Sequence, residues 1–318
     1  MIVLQLLGGI GLLYIGGELI VRNVVAIASR LGVSPLLISL TLIGFGTSTP
    51  ELVTCIQAGL AGSPGLALGN IVGSNIANLL LILPIAAIIT PISYQSTILK
   101  RDGPVLIFSV LFLIGLVIMT DRIGYFAGSI LIICLISYTI FCFIVERYAY
   151  FSLSEQRDKD HNTYTTLPLL LTLSLAIIDI LCVLVGASWL VESAITIARL
   201  VGVSESIIGL TVVAVGTSLP ELATVITASL RGHSDVAFGN IIGSNLYNVF
   251  GILGVTAVVT PLDVPAELTS LSIWVMGIAT LFILFFAFTG KRLSRLEGII
   301  LLSCYGSYMC IVFTEVAR

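Results

Sequence analysis

"GFGTSTPELVTCIQAGLAGSPGLALGNIVGSNIANLLLILP" runs from Gly44 to Pro84, and "AVGTSLPELATVITASLRGHSDVAFGNIIGSNLYNVFGILG" runs from Ala214 to Gly254, 170 residues later. Each stretch writes GTS-x-PEL and then GN-x-x-GSN-x-x-N, with one glutamate inside apolar sequence. The duplication extends beyond the motifs. A shift of 170 aligns 16–91 with 186–261 without a gap, and about 34 of those 76 positions are identical. "LGVS" at 31–34 meets "VGVS" at 201–204, and Thr90-Pro91 meets Thr260-Pro261. A repeat of this kind makes the chain two versions of one unit.

Composition sets the medium. The chain has 318 residues, 58% of them hydrophobic and 10% charged, with a mean hydropathy of +1.15. A soluble domain carries about 25% charged residues, so this chain has too few to cover a water-facing surface. It reads as an all-α polytopic membrane protein. The net charge of −3 provides no basic patch for nucleic acid. Six cysteines lie in or beside apolar runs without a CxxC, as small buried hydrophobes do. His161 and His233 fall in polar intervals, which argues against a histidine-based metal or nucleophile site. The first apolar run begins at Met1 without a basic leader, which argues against a cleaved signal peptide.

A membrane span takes roughly 20 apolar residues. Breaks at Gly, Pro and charges predict about ten spans: 3–28, 36–61, 66–89, 103–119, 124–146, 167–198, 206–230, 236–259, 268–289 and 296–315. The longest polar interval, from Tyr150, is too short to be a folded domain and divides the spans five and five. The expected organisation is a first five-helix repeat over 1–147 with its motif at 44–84, a cytoplasmic linker over 148–166, and a second five-helix repeat over 167–318 with its motif at 214–254. An odd number of spans per half inverts the second repeat relative to the first, an arrangement used by transporters.

Charge agrees with that topology. With the N-terminus outside, the inner segments hold Arg30, Lys100, Arg101, Arg147, Arg157, Lys159, Arg231, Lys291, Arg292 and Arg295, and the outer ones only Arg122, Arg199 and Arg318. This follows the positive-inside rule and makes both termini extracytoplasmic.

Glu51 and Glu221 each follow a proline within an apolar run. A carboxylate at membrane depth costs at least about 2.5–3.5 kcal/mol, so it marks function by default. Pro50 and Pro220 cannot donate to the helix ladder and are expected to break it, freeing carbonyls near Thr47 and Thr217. The hydroxyls of Thr47, Ser48, Thr217 and Ser218 add oxygens. Further along, Asn70, Ser74 and Asn78 share one helix face at i, i+4, i+8, as do Asn240, Ser244 and Asn248. Asn70 and Asn240 fit interhelical hydrogen bonding and ion ligation equally well. Gly69/Gly73 and Gly239/Gly243 form GxxxG pairs suited to close helix approach.

An inverted repeat would gather this set near the midplane: two carboxylates with hydroxyl, amide and backbone oxygens, and no imidazole or thiolate. About 6–8 flexible oxygens suit Ca²⁺ better than Mg²⁺. Two ionised glutamates balance one Ca²⁺ or two Na⁺, and an empty site would leave like charges close together in a low dielectric. Such a protein should change sides only when cations fill the site, which favours a secondary antiporter over a cation channel. An intramembrane enzyme is disfavoured, because no serine in the spans has a histidine or lysine partner. Glu18 and Arg22, at i and i+4, read as an intrahelical pair, and neither they nor Asp179 are placed in the site.

The doubled GTS-x-PEL…GN-x-x-GSN-x-x-N resembles the alpha repeats of the sodium/calcium exchanger family, within the cation/calcium antiporters. The resemblance implies a prokaryote-like minimal transporter in the plasma membrane, exchanging Na⁺ for Ca²⁺ by alternating access, with no cofactor. It implies that Glu51 and Glu221 are shared Ca²⁺ and Na⁺ ligands. Thr47, Ser48 and Ser74, with Thr217, Ser218 and Ser244, would complete flanking Na⁺ sites, aided by backbone carbonyls of Gly44 and Ala214. Asn78 and Asn248 would lie at the central position, and spans one and six would slide as a gating pair. Several relatives carry aspartate where this chain has Asn248, and in the potassium-dependent branch that aspartate is associated with K⁺ use. Asparagine here points to K⁺-independent exchange, which is expected to be electrogenic where net positive charge accompanies Na⁺. The proton/calcium branch usually lacks the GTS-x-PEL form, so H⁺/Ca²⁺ antiport is the alternative on this scaffold. The middle interval has no room for the calcium-sensing domains of animal relatives.

Overall fold

The computed structural model describes residues 2–93, 96–154, 167–200, 216–265, 271–290 and 292–316. They are almost entirely helical. Helix α1 spans Ile2–Leu31 and ends where Gly32 takes a positive φ of 66°. Ser34 then starts α2 (Pro35–Thr47) by accepting the Leu37 N–H at 3.1 Å, with Pro35 at the first helical position, where no N–H is needed. After Ser48 the chain resumes as α3 (Thr49–Leu60), then α4 (Pro64–Ile89), α5 (Ser96–Met119) and α6 (Tyr125–Ser154). The second half contributes α7 (Leu169–Leu200), α8 (Leu219–Leu230), α9 (Ser234–Val259), α10 (Ser272–Gly290) and α11 (Arg295–Val316).

Among the described residues eight helices are long and apolar enough to cross a membrane, or nine when α2 and α3 count as one bent span. The remaining expected span, 206–230, is described from residue 216 and includes the apolar helix α8. The side chains are distributed as a bilayer requires. Met119, Phe126 and Leu170 are largely exposed, whereas Glu51, Asn78, Glu221 and Asn248 are each 1% exposed.

The helix interruptions recur at the 170-residue shift. Ser48 (φ −87°, ψ 10°) and Ser218 (φ −94°, ψ 7°) both leave helical geometry immediately before a helix whose second residue is proline. A proline there has no N–H to return to the preceding turn, so the ladder restarts. At the first break the span bends by 44°. Gly62 (φ 71°) and Gly232 (φ 76°) each close a helix with an equivalent turn bond, Ser63 N–H to Ala58 O in one and His233 N–H to Ala228 O in the other, both 2.9 Å. Wide π-turns at Asn78–Ile82 and Tyr247–Ile252 interrupt α4 and α9 near the end of each motif.

The chain forms two compact units, and each draws on both sequence halves. The first comprises Met1–Thr47 and Cys134–Gly243. In it α1 lies against α7 with almost no side chain between. A methyl placed on Gly9 would sit 2.8 Å from the Gly186 carbonyl oxygen, and one on Gly186 2.9 Å from that of Gly9. Small residues allow this approach, and dispersion between the backbones holds it. Asn23 Nδ2 donates to the buried Asp179 carboxylate at 2.6 Å. Gly239 and Gly243 bring α9 onto α2: a methyl on Gly239 would lie 2.7 Å from Leu36 O, and one on Gly243 would collide with Leu40 O. Ser39 Oγ fastens the same crossing by donating to Val236 O at 2.6 Å. For the expected approach at Gly69 and Gly73, the equivalents of Leu36 and Leu40, at 206 and 210, lie outside the described residues.

Glu18 does not take the neighbour that helical spacing offered. Its carboxylate accepts from Arg231 Nε at 2.6 Å, at the turn that ends α8, instead of from Arg22 on its own helix. Tertiary packing of α8 along α1 supplies a partner that no local rule reveals. The two side chains keep 33% and 53% of their exposure, so the pair contributes little. Arg231→Ala should leave the thermal midpoint in detergent essentially where it is in the wild type, since both side chains of the pair are solvated.

The second unit comprises Ser48–Ile133 and Ser244–Arg318. Two short antiparallel ladders close it. In one, β1 (Ile92–Ser93) pairs with β4 (Arg292–Leu293); in the other, β2 (Arg122–Ile123) pairs with β3 (Leu262–Asp263). Strands β1 and β2 flank α5, whose 24 residues extend about 36 Å, so the ladders lie at opposite ends of this unit. The 170-residue shift maps β1 onto β3 and β2 onto β4, which therefore lie at opposite ends as well. The second repeat runs through the unit in the reverse direction to the first, as the odd span count requires. Packing repeats the relation: Gly128 of α6 seats against Gly254 O of α9, and Gly298 of α11 against Pro84 O of α4.

Candidate cation site

Both motif glutamates occupy the first turn of the helix that follows a break, Glu51 in α3 and Glu221 in α8, each 1% exposed. The position is favourable for a carboxylate, because the first turn carries unsatisfied N–H groups and the positive end of the helix dipole.

The first compact unit holds Gly44, Thr47, Thr217, Ser218 and Glu221. Gly44 is buried immediately after a π-turn at Ser39–Ile43, and its N–H reaches back to Ser39 O and Thr41 O. Thr47 is fully buried and donates its hydroxyl proton to Ile43 O at 3.0 Å, which leaves its oxygen lone pairs as acceptors. Ser218 is buried at the break itself, and its Oγ has no hydrogen-bond partner among the described residues. Asn240 is fully buried, with neither amide atom partnered among the described residues. Ala214 lies outside the described residues.

The second unit holds Ser48, Glu51, Ser74, Asn78, Ser244 and Asn248. Ser48 is buried at the first break, and its side chain does not cap α3. Ser74 and Ser244 are buried in α4 and α9. Among the described residues Ser244 Oγ, Asn78 Oδ1 and Asn248 Oδ1 lack hydrogen-bond partners. Asn70 sits differently from Asn240: its Nδ2 donates to Cys55 Sγ at 3.3 Å. The residue equivalent to Cys55 is Val225, which offers no such acceptor.

Buried polar groups in proteins are paired nine times in ten or more. Among the described residues every buried side-chain nitrogen or oxygen without a partner falls within 44–84 or 214–254, apart from those of Ser193 and Thr256. Oxygens without a partner among the described residues, such as those of Ser218, Ser244, Asn78 and Asn248, are suited to a guest that accepts electron pairs. All the ligand atoms on offer are hard oxygens. Among the described residues no cluster of three or more His, Cys, Asp or Glu exists, and the buried negative charge within the two motifs is that of Glu51 and Glu221.

Sequence periodicity overlooked two members of the motif. Asn75 and Asn245 lie one residue after Ser74 and Ser244, off the i, i+4, i+8 face, yet both are buried to 2% exposure. Asn75 Oδ1 accepts from Asn248 Nδ2 at 3.2 Å. Their identity in the two halves was the available signal, but helical phase gave it no role.

The model of the sodium/calcium exchanger protein family matches residues 1–144 and 171–314, nearly the whole chain. The chain belongs to the sodium/calcium exchanger family. A relative in that family, the sodium/calcium exchanger MaX1 of Methanosarcina acetivorans, is 34% identical over 98% of each chain. The putative antiporter CaxA of Alkalimonas amylolytica is also 34% identical, over 96% of this chain and 97% of its own. A solved structure of the sodium-calcium exchanger NCX_Mj, soaked with 10 mM Na⁺ and no Ca²⁺, superposes with a TM-score of 0.81 at 31% identity and covers both chains completely. Family membership makes the chain an integral membrane antiporter homologue, built on the inverted-repeat scaffold described above.

Proposed function

We propose that this protein exchanges Na⁺ for Ca²⁺ across the membrane by alternating access, K⁺-independently and electrogenically. The observation that carries the reading is the duplicated placement of one buried carboxylate in the first turn after a broken span. The names of its relatives, a sodium/calcium exchanger and an antiporter, support it. Glu51 and Glu221 are the ionised ligands, shared between one Ca²⁺ and the Na⁺ ions that replace it. Thr47, Ser48 and Ser74, and Thr217, Ser218 and Ser244, complete the Na⁺ sites with the carbonyls of Gly44 and Ala214, while Asn78 and Asn248 offer amide oxygens centrally. Uncompensated carboxylates in a low dielectric penalise any passage through an occluded, empty state, and cations remove that penalty. This coupling makes the protein an exchanger and not a leak. The helices α1 and α7, joined backbone to backbone through Gly9 and Gly186, are suited to move as one body. Asparagine at 248 keeps the charge at two, without a third carboxylate to recruit K⁺. The excess of Lys and Arg on one side supports a plasma-membrane orientation with both termini extracytoplasmic.

Proteoliposomes loaded with Na⁺ should take up Ca²⁺ against its gradient, at the same rate with and without K⁺ on both sides. A membrane potential clamped with K⁺ and valinomycin should change that rate. Uptake that appears only under a proton gradient would replace Na⁺ by H⁺ as the coupling ion. Ca²⁺ flux that follows its own gradient regardless of Na⁺ would make the protein a channel.

A further inference from the structure

A carboxamide is an ambiguous ligand. Turned one way it presents an oxygen to a cation; turned the other way it presents two N–H donors, which repel it. Asn248 therefore needs something to set its orientation. Its Nδ2 donates to Asn75 Oδ1 at 3.2 Å, and Asn75 Nδ2 donates in turn to Met276 Sδ at 3.6 Å. Asn75, Asn248 and Met276 are all buried within the second compact unit. Two amides in a row would be equally satisfied with both of them turned over. The thioether breaks that degeneracy, because sulfur in methionine accepts weakly and never donates. Reversing the row would set Asn75 Oδ1 against sulfur lone pairs and turn the Asn248 N–H groups towards the position its oxygen now holds. As observed, Asn248 Oδ1 is the end of the row left without a partner among the described residues.

We propose that Asn75, anchored by Met276, is a positioning residue that fixes the Asn248 amide with its oxygen turned towards the transported cation. The inference rests on the reading above that Asn248 lies on the cation path. Both ends of the Asn75 amide are engaged by protein partners, as suits a residue that orients another. The device belongs to one half only. The 170-residue shift maps Asn75 to Asn245 and Asn248 to Asn78, but it maps Met276 to Leu106, which has no acceptor. The oriented amide is thus the one at the position where an aspartate would need no orienting.

The test measures the apparent KM for Ca²⁺ in Na⁺-loaded proteoliposomes, with the maximal rate and the thermal midpoint alongside. Asn75→Leu removes the acceptor at similar volume and should raise KM at least about twofold, because the Asn248 amide is then free to turn over. Met276→Leu conserves volume and is well tolerated in cores; by freeing the row to turn over it should raise KM about twofold, the population arithmetic of an amide with two equal orientations. Neither should lower the maximal rate, as expected for an interaction that serves binding alone. In an Asn248→Ala background both substitutions should lose their effect on KM, because their only route to the cation is gone. Unchanged KM in the single variants, or an equal rise in the Asn248→Ala background, would overturn the inference. If Asn75→Leu fails to insert, Met276→Leu decides alone. Should Asn248→Ala by itself leave KM for Ca²⁺ unchanged, the placement of Asn248 on the cation path fails, which is a separate result.

Discussion

Glu51→Gln and Glu221→Gln are each expected to abolish Na⁺-driven Ca²⁺ uptake while leaving a folded, membrane-inserted protein. Glutamine has nearly the shape of glutamate and costs less to bury in a bilayer, so the break, the first turn and the surrounding helices have no reason to change. What changes is charge. Two unit charges 4 Å apart interact by about 4 kcal/mol at an effective dielectric of 20, so removing one carboxylate from a divalent cation costs at least about three decades in affinity. Coupling suffers as well, since a singly charged site is neutralised by one Na⁺ and no longer holds Ca²⁺ back when Na⁺ is scarce. The measurement is Ca²⁺ uptake by each variant beside its elution as a monodisperse species in detergent. Retained exchange in either variant would remove that glutamate from the site.

Gly243→Val should prevent recovery of folded protein. A single methyl at Gly243 already collides with the Leu40 carbonyl oxygen, and the obstacle is backbone, which cannot rotate away as a side chain could. The crossing of α9 and α2 would have to open, with loss of the Ser39–Val236 bond beside it. Overpacking of this kind costs typically 1–3 kcal/mol and more when helices must separate. Gly306→Ala in α11 is the matching control: a methyl there meets nothing within 4 Å among the described residues, and alanine favours the helix by up to about 1 kcal/mol. If Gly243→Val unfolds at the wild-type temperature, the closeness of this crossing is not what holds the first unit together.

The broken spans were legible because proline withdraws an N–H from the ladder: Pro50 and Pro220 each stand at the second position of the restarted helix, and the breaks fall two residues before them. The inverted repeat was legible from an odd span count, and the exchanged ladders agree with it. What local rules could not supply were partners from distant sequence. Glu18 reads as the neighbour of Arg22 until α8 brings Arg231 to it. Asn75 lies on a face that strict helical phase assigns elsewhere, and its role depends on Met276, 201 residues away. The π-turns after Asn78 and around Asn248 carry no distinctive residue type, so they too required the structure. The division into compact units is of the same kind. The chain passes from one to the other at Thr47–Ser48 and Gly243–Ser244, inside the motifs, where hydropathy shows no boundary.

The ladders carry a further consequence. Strand β1 of the first repeat pairs with the equivalent of β2 in the second, and β2 pairs with the equivalent of β1. Such a reciprocal contact is what a two-fold homodimer makes, where one patch on each subunit meets the same patch on its partner. The interface therefore does not depend on the peptide joining the halves. It is equally available to two separate copies of a five-helix chain, provided that they insert in opposite orientations. A gene of half this length, whose product entered the bilayer both ways up, would already possess the contacts that close the second unit. In one continuous chain the two copies need not stay identical, and equivalent positions such as Met276 and Leu106 differ.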